Sequence, residues 1–264
     1  MFRRLGLFIT VAALFMSSSP RLSGQTAADF IRQGDEQYAQ FNDALALEEY
    51  LKAAQAEPEN YEALWKTARA YYDVADRMTT ADSKAADEQR KTFGQSMSSA
   101  RQAIKVDPNG TWGHFFLSAA WGKYVLTQGK KEQVNASKQI RAEIDKAIAA
   151  DPNNDLAYHA LGRWHRRMAE IGGAQRFFGG LLYGSIPKGT LEDSEKNMQK
   201  AIELNPNYTN HHLELGRTHL GMKKTDLAKQ EFQKVLELPE TTSKCPMFKK
   251  EAQAELDALS KKGK

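Results

Sequence analysis

The sequence predicts an all-α fold, an α-solenoid of about five helix pairs closed by a C-terminal capping helix. Three observations carry this. A proline joint recurs four times, as Glu57-Pro58-Glu59, Asp107-Pro108-Asn109, Asp151-Pro152-Asn153 and Asn205-Pro206-Asn207. Each joint ends an amphipathic run that carries a small residue at one place: Ala53, Ala103, Ala147 or Ala201. Proline drives its predecessor out of the helical region, so a helix stops there, and the Asn, Asp or Thr that follows can cap the next one. A unit of two amphipathic helices cannot bury its apolar face alone and must stack on a copy of itself.

Residues 1–24 read as an export signal. Arg3 and Arg4 precede an apolar run from Leu5 to Met16, and small and polar residues follow from Ser17 to Gly24. The run is shorter than the ~20 residues a spanning helix needs. The chain is expected to be exported, periplasmic or secreted; an uncleaved N-terminal membrane anchor is the alternative. Without residues 1–24 the formal charge of +4 falls to +1, with 34 basic against 33 acidic residues, which argues against nucleic acid as a partner. The one cysteine, Cys245, cannot form an intrachain disulfide or a Cys/His zinc framework.

From 25 to 264 the chain is expected to be one repeat domain. The first unit, 27–60, has 34 residues and places Gly34, Ala46, Tyr50, Ala53 and Pro58 at positions 8, 20, 24, 27 and 32. This pattern resembles the tetratricopeptide repeat. That resemblance implies a right-handed superhelix in which small residues let paired helices approach and the aromatic fills the space beside the next unit. Units 61–110 and 111–154 are longer, with polar surpluses at Thr79–Glu88 and Thr127–Asn135. The unit 155–208 carries Tyr158, Leu161, Gly162, Ala201 and Pro206 but is split by a Gly- and aromatic-rich insert, 171–190. The fifth, 209–240, has Leu215, Gly216, Ala228 and Phe232. After a connector, Leu238–Lys244, Phe248, Ala252, Leu256 and Leu259 mark an apolar helix face, the capping helix at about 246–262.

A narrower resemblance lies in the second half. Leu161-Gly162-Arg163-Trp164, Phe177-Phe178-Gly179-Gly180-Leu181, Gly189-Thr190-Leu191-Glu192-Asp193 and Lys200-Ala201-Ile202-Glu203-Leu204-Asn205-Pro206 resemble the regulator of microtubule dynamics family. The resemblance implies a helical-repeat protein, and in one branch of the family an association with phospholipid. An exported member would not meet tubulin.

In this repeat type, positions 2, 5, 9, 12 and 13 of each first helix face the concave groove. Here they supply Trp65, Arg69 and Tyr72, then Trp112, Phe115 and Lys123, then His159, Arg163, Arg166 and Arg167, and finally Arg217. Arginine forks suit carboxylates and phosphates, and aromatics add contact area at low entropic cost. The expected function is a non-enzymatic scaffold binding a protein segment or acidic peptide in this groove. The alternative is a lipid or amphiphile carrier, with an anionic lipid as ligand, using the groove and the insert's Phe177, Phe178, Leu181, Leu182 and Tyr183. That insert would act either as a flap over the ligand or as a folded excursion completing the core. It lacks a phosphate-loop lysine, and no nucleophile motif or metal-ligand spacing stands out, so no cofactor, metal or catalytic residue is expected. His165 and His219, at position 11 of their units, are expected to pack inside.

Overall fold

The computed structural model describes residues 24–262, so the segment expected to be an export signal lies outside the described residues apart from Gly24. Within them the chain is helical throughout. The pairs are α1 (Ala27–Ala39) with α2 (Asp43–Ala56), α3 (Tyr61–Arg77) with α4 (Ser83–Val106), and α5 (Thr111–Tyr124) with α6 (Lys130–Ala150). Next, α7 (Asp155–Ala169) pairs with α9 (Leu191–Leu204), with α8 (Gly173–Tyr183) between them. Last come α10 (Thr209–Gly221) with α11 (Thr225–Glu237), and the capping helix α12 (Cys245–Lys262). The surplus of the second and third units forms no long loop. Most of it winds into the first turns of α4 and α6, with the Asp82 side chain capping α4 by accepting from the Ala85 N–H at 2.8 Å.

Gly34 and Gly216 show why position 8 is small. A Cβ at Gly34 would lie 2.4 Å from the Tyr50 ring, and one at Gly216 would lie 2.5 Å from the Phe232 ring. Both rings are fully buried and sit at position 24 of the same units. In the longer units this place holds Ala68 and Ser118, also buried.

Helix capping at the joints differs from unit to unit. Asn60 and Asn154 accept from the N–H groups of Ala63 and Ala157, as the joint chemistry predicts. Gly110 and Tyr208 make no side-chain cap. At α5 the preceding unit substitutes: the Tyr61 hydroxyl accepts from the Trp112 and Gly113 N–H groups at 3.0 and 3.3 Å. These bonds fasten successive first helices at their N-termini, where the orphan donors lie.

One tie recurs in alternate units. His114 sits 2.6 Å from Glu143 through Nδ1 and 2.9 Å from the Pro108 carbonyl through Nε2. His212, at the equivalent position, repeats it with Glu231 at 2.7 Å and the Pro206 carbonyl at 3.0 Å. Each histidine binds its proline joint to the second helix of its own pair.

Candidate functional site

The inner faces of the pairs enclose a chamber of about 580 Å3. Its lining is partly apolar: Phe115 and Phe116 from α5, Ile140 and Ile144 from α6, Leu156 and Trp164 from α7. The rest is strongly charged. Seven basic residues contribute (Arg69, Lys123, Lys130, Arg163, Arg166, Arg167 and Lys244) against Asp73 and Glu170.

Several of these cations are satisfied from behind. Glu214 on α10, 3% exposed, contacts Arg166, with Arg217 at 3.1 Å and Arg163 at 3.6 Å. Burial alone would raise the Glu214 carboxyl, but the surrounding Arg163 and Arg166 guanidinium groups outweigh it and hold the carboxyl far below its usual range. Asp76 does the same for Lys123, and burial lowers the Lys123 ammonium nonetheless. Arg69 lies over the Tyr38 ring at 3.8 Å and donates to the Tyr50 hydroxyl at 2.8 Å. Arg167 has no ion-pair partner among the described residues, and its desolvation beside Arg163 and Arg166 lowers its pKa. Of the three arginines of α7, Arg163 and Arg166 therefore share Glu214, Arg166 also reaches Glu170, and Arg167 is left over, a positive excess inside the chamber.

His159, also in the lining, shares one hydrogen bond with His211 between their Nδ1 atoms at 3.0 Å, and His211 Nε2 lies 2.9 Å from Asp155. Burial, with His211 and Arg163 nearby, pushes the His159 pKa well below 6.5, so this pair sits neutral.

The concave register of the sequence thus brings Arg69, Tyr72, Phe115, Lys123, His159, Arg163, Arg166 and Arg167 to one chamber. It does not bring the others. Trp65 and Trp112 stack on each other at 5.2 Å and pack on the core of the second and third pairs. Arg217 turns to Glu214, Glu251 and Glu255. Asp73 falls on position 13, a concave position, and its acid offsets the basic lining; Glu214 lies at position 6, which the concave register does not cover. His165 and His219 are buried, against Arg141 and Glu195, as their position implies.

The insert is folded, but it does not complete the core. Phe177, Phe178, Leu181 and Leu182 of α8 are 63%, 63%, 71% and 69% exposed. The helix is anchored instead through its polar side: Arg176 donates to the carbonyls of Ile186, Pro187 and Met168. This turns the apolar face outward. The Tyr183 side chain lies outside the described part. Gly189, packed on His165 of α7, allows the return into α9: a Cβ there would meet the His165 carbonyl oxygen at 2.6 Å.

Stacked helix pairs with glycine-to-aromatic contacts and proline joints define a tetratricopeptide-type α-solenoid. A thermophilic TPR protein of Thermus thermophilus has this fold, with a TM-score of 0.62 at 16% identity over 87% of this chain and 100% of that one. PilF of Pseudomonas aeruginosa superposes with a TM-score of 0.50 at 13% identity, covering 88% and 85%. The family model for regulator of microtubule dynamics protein 1-3 matches residues 30–262, and the chain belongs to that family. Regulator of microtubule dynamics protein 1 of Caenorhabditis elegans is 24% identical over 207 residues, 76% of this chain and 87% of that protein. The mouse protein 1 is 27% identical over 173 residues, 65% of this chain, and the rat protein 3 is 25% identical over 238 residues, 88% of this chain. The matches span 55% and 47% of the mouse and rat proteins' own lengths.

Among the described residues no helix is long and apolar enough to cross a membrane, and no group of three or more His, Cys, Asp or Glu is placed to hold a metal ion.

Proposed function

We propose that this protein is a non-catalytic binding module whose chamber holds an amphiphile with an anionic head. The observation that supports this most is the chamber's mixed lining, in which apolar side chains stand beside an excess of basic ones. Its volume, about 580 Å3, falls within the roughly 300–1,000 Å3 of small-molecule sites. The head would meet Arg163 and Arg167, and the tail would lie along Phe115, Ile140, Ile144 and Trp164. An acidic peptide laid along the groove is less well supported, because Arg217 is engaged by three carboxylates and the two tryptophans by each other.

The test is mass spectrometry of organic extracts from the natively purified chain. An acidic amphiphile should co-purify, and Arg163→Glu with Arg167→Glu should remove it while far-UV circular dichroism stays unchanged. Recovery of no amphiphile, or equal recovery from both proteins, refutes the reading.

A second role, as a scaffold for a protein partner, draws on the solenoid fold and on the exposed apolar face of α8. In this reading Phe177 and Phe178 make the contact, and replacing both with Asp abolishes capture of a partner that the intact chain captures reproducibly. The proposed setting is outside the cytoplasm, periplasmic or secreted, on the strength of residues 1–24. Tubulin is not among the proposed partners for that reason.

A further inference from the structure

The connector between α11 and α12 does more than join them. It crosses to the opposite end of the solenoid. Ser243 Oγ donates to Asp43 Oδ2 at 2.6 Å, a contact between residues 200 apart in sequence. Lys244 is buried, with its Nζ 2.9 Å from Asp73 and 3.5 Å from Asp76, and it lies 4.7 Å over the Tyr72 ring. Burial opposes the ammonium, but Asp73, with Tyr208, Tyr72 and Asp76, outweighs it and raises its pKa well above 10.5.

Two features separate this contact from the joints between units. First, it is polar. The buried apolar cluster of α10, α11 and α12 shares no residue with the clusters of α1, α2 and α3. A junction made of charges and hydrogen bonds can be taken over by another segment with the same groups, whereas interlocked apolar side chains cannot be exchanged so simply. Second, the cradle offers more than the connector uses. Asp43 Oδ1 is buried and has no hydrogen-bond partner, while the other oxygen of the same carboxylate takes Ser243 and Arg77. Such an acceptor is costly to bury unpaired and leaves the carboxylate able to take a further donor.

We propose that Asp43, Asp73, Asp76 and Tyr72 form a recognition site for a lysine-bearing turn at a helix start, filled here in cis by Ser243–Lys244 and open to the same kind of segment from another protein. The carboxylates take the ammonium and the aromatic face covers it. The site selects a basic segment, opposite in sign to the acidic peptide expected for the arginine-rich part of the groove. Because the cis segment is tethered, a partner competes against a high local concentration, so the site is occupied in trans chiefly when the connector is released. The site shares Tyr72, Asp73 and Lys244 with the chamber lining, but its lysine contacts do not require an amphiphile there.

The chain carries its own reporter. Cys245 is its single cysteine, is fully buried, and its sulfur accepts from the Thr242 N–H at 3.4 Å and the Thr209 hydroxyl at 3.3 Å. In the full-length chain, Lys244→Met should raise the iodoacetamide alkylation rate of Cys245 at least tenfold, with far-UV circular dichroism unchanged. A fluorescein-labelled peptide of residues 238–248, carrying Cys245→Ser, should then bind the Lys244→Met chain by fluorescence anisotropy. It should bind the unaltered chain at least tenfold more weakly, because the site there is filled. Adding Asp73→Asn should remove the binding, as should Lys244→Met within the peptide. An unchanged alkylation rate overturns the proposal, and so does a peptide that ignores Asp73 or fails to bind the released chain. If Lys244→Met does not fold, Ser243→Ala with the same two readings decides.

Discussion

Glu214→Gln should lower stability and strengthen anion binding at once, and the structure sets the size of the first effect. The Glu214 carboxylate contacts Arg166, Arg163 and Arg217, and breaking a buried pair from one side costs about 3–5 kcal/mol because a charge is left uncompensated. The three arginines do not lose equally. Arg166 keeps Glu170 at 3.1 Å, and Arg217 keeps Glu251 and Glu255 at 2.8 and 3.2 Å. Arg163 alone is orphaned, so the expected loss falls to about 2–4 kcal/mol. Urea unfolding followed by circular dichroism measures it. Arg163→Met should restore part of it in the double variant, by about 1–2 kcal/mol beyond additivity. The same Glu214→Gln chain should bind cis-parinaric acid, an anionic amphiphile, more tightly, because one negative charge behind the arginines is gone. The pH dependence follows in sign. The folded Glu214 pKa is depressed, so its contribution is present above the unfolded value and is lost as pH falls through the folded one. A loss below about 1 kcal/mol, or strict additivity with Arg163→Met, would refute the account of a shared buried carboxylate.

Other outcomes are open to simpler measurements. Gly34→Ala places a methyl against the Tyr50 ring at 2.4 Å and should cost about 1–3 kcal/mol in thermal or urea unfolding, although alanine is the better helix former. Phe177→Ser with Phe178→Ser should change stability by no more than about 0.5 kcal/mol, since both rings are mostly exposed; a large loss would show that α8 packs inward in solution. Both ring nitrogens of His114 face acceptors, and its hydrogen bond to Glu143 raises its pKa above 6.5. Its contribution is therefore complete below the unfolded value and lost as pH rises through the raised folded one. The stability difference between the unaltered chain and His114→Phe should shrink across that interval, as denaturation midpoints at pH 6 and pH 9 will show.

Much of the fold is written in local terms. The proline joints, the small residue at position 8 and the aromatic at position 24 recur at fixed spacing, so the places of Gly34, Tyr50, Gly216 and Phe232 are readable from the sequence, while the closure of each ring on its own pair's glycine came from the structure. The concave register likewise delivers the arginines of α7 to the chamber, because it follows from helix geometry. Two things escape such reading. The outward face of α8 depends on Arg176 reaching three backbone carbonyls, whereas composition favoured Phe177 and Phe178 as part of a core. The cradle for Lys244 depends on curvature accumulated over all the pairs. No single spacing encodes it, and Leu238–Lys244 reads locally as a plain connector.

Closure between Asp43 and Ser243 changes how such an array should come apart. A linear stack of units unravels from its edges, where each terminal unit has one neighbour instead of two. Here the connector after the last pair grips the first two pairs, so the two ends of the array do not part without breaking that contact. A backbone nick in an exposed turn between pairs would leave the two pieces held on both sides, as one particle. The same geometry would let new termini be opened at such a turn, with the original ends joined through a linker, and the order of units along the chain would cease to matter to the order of units in space.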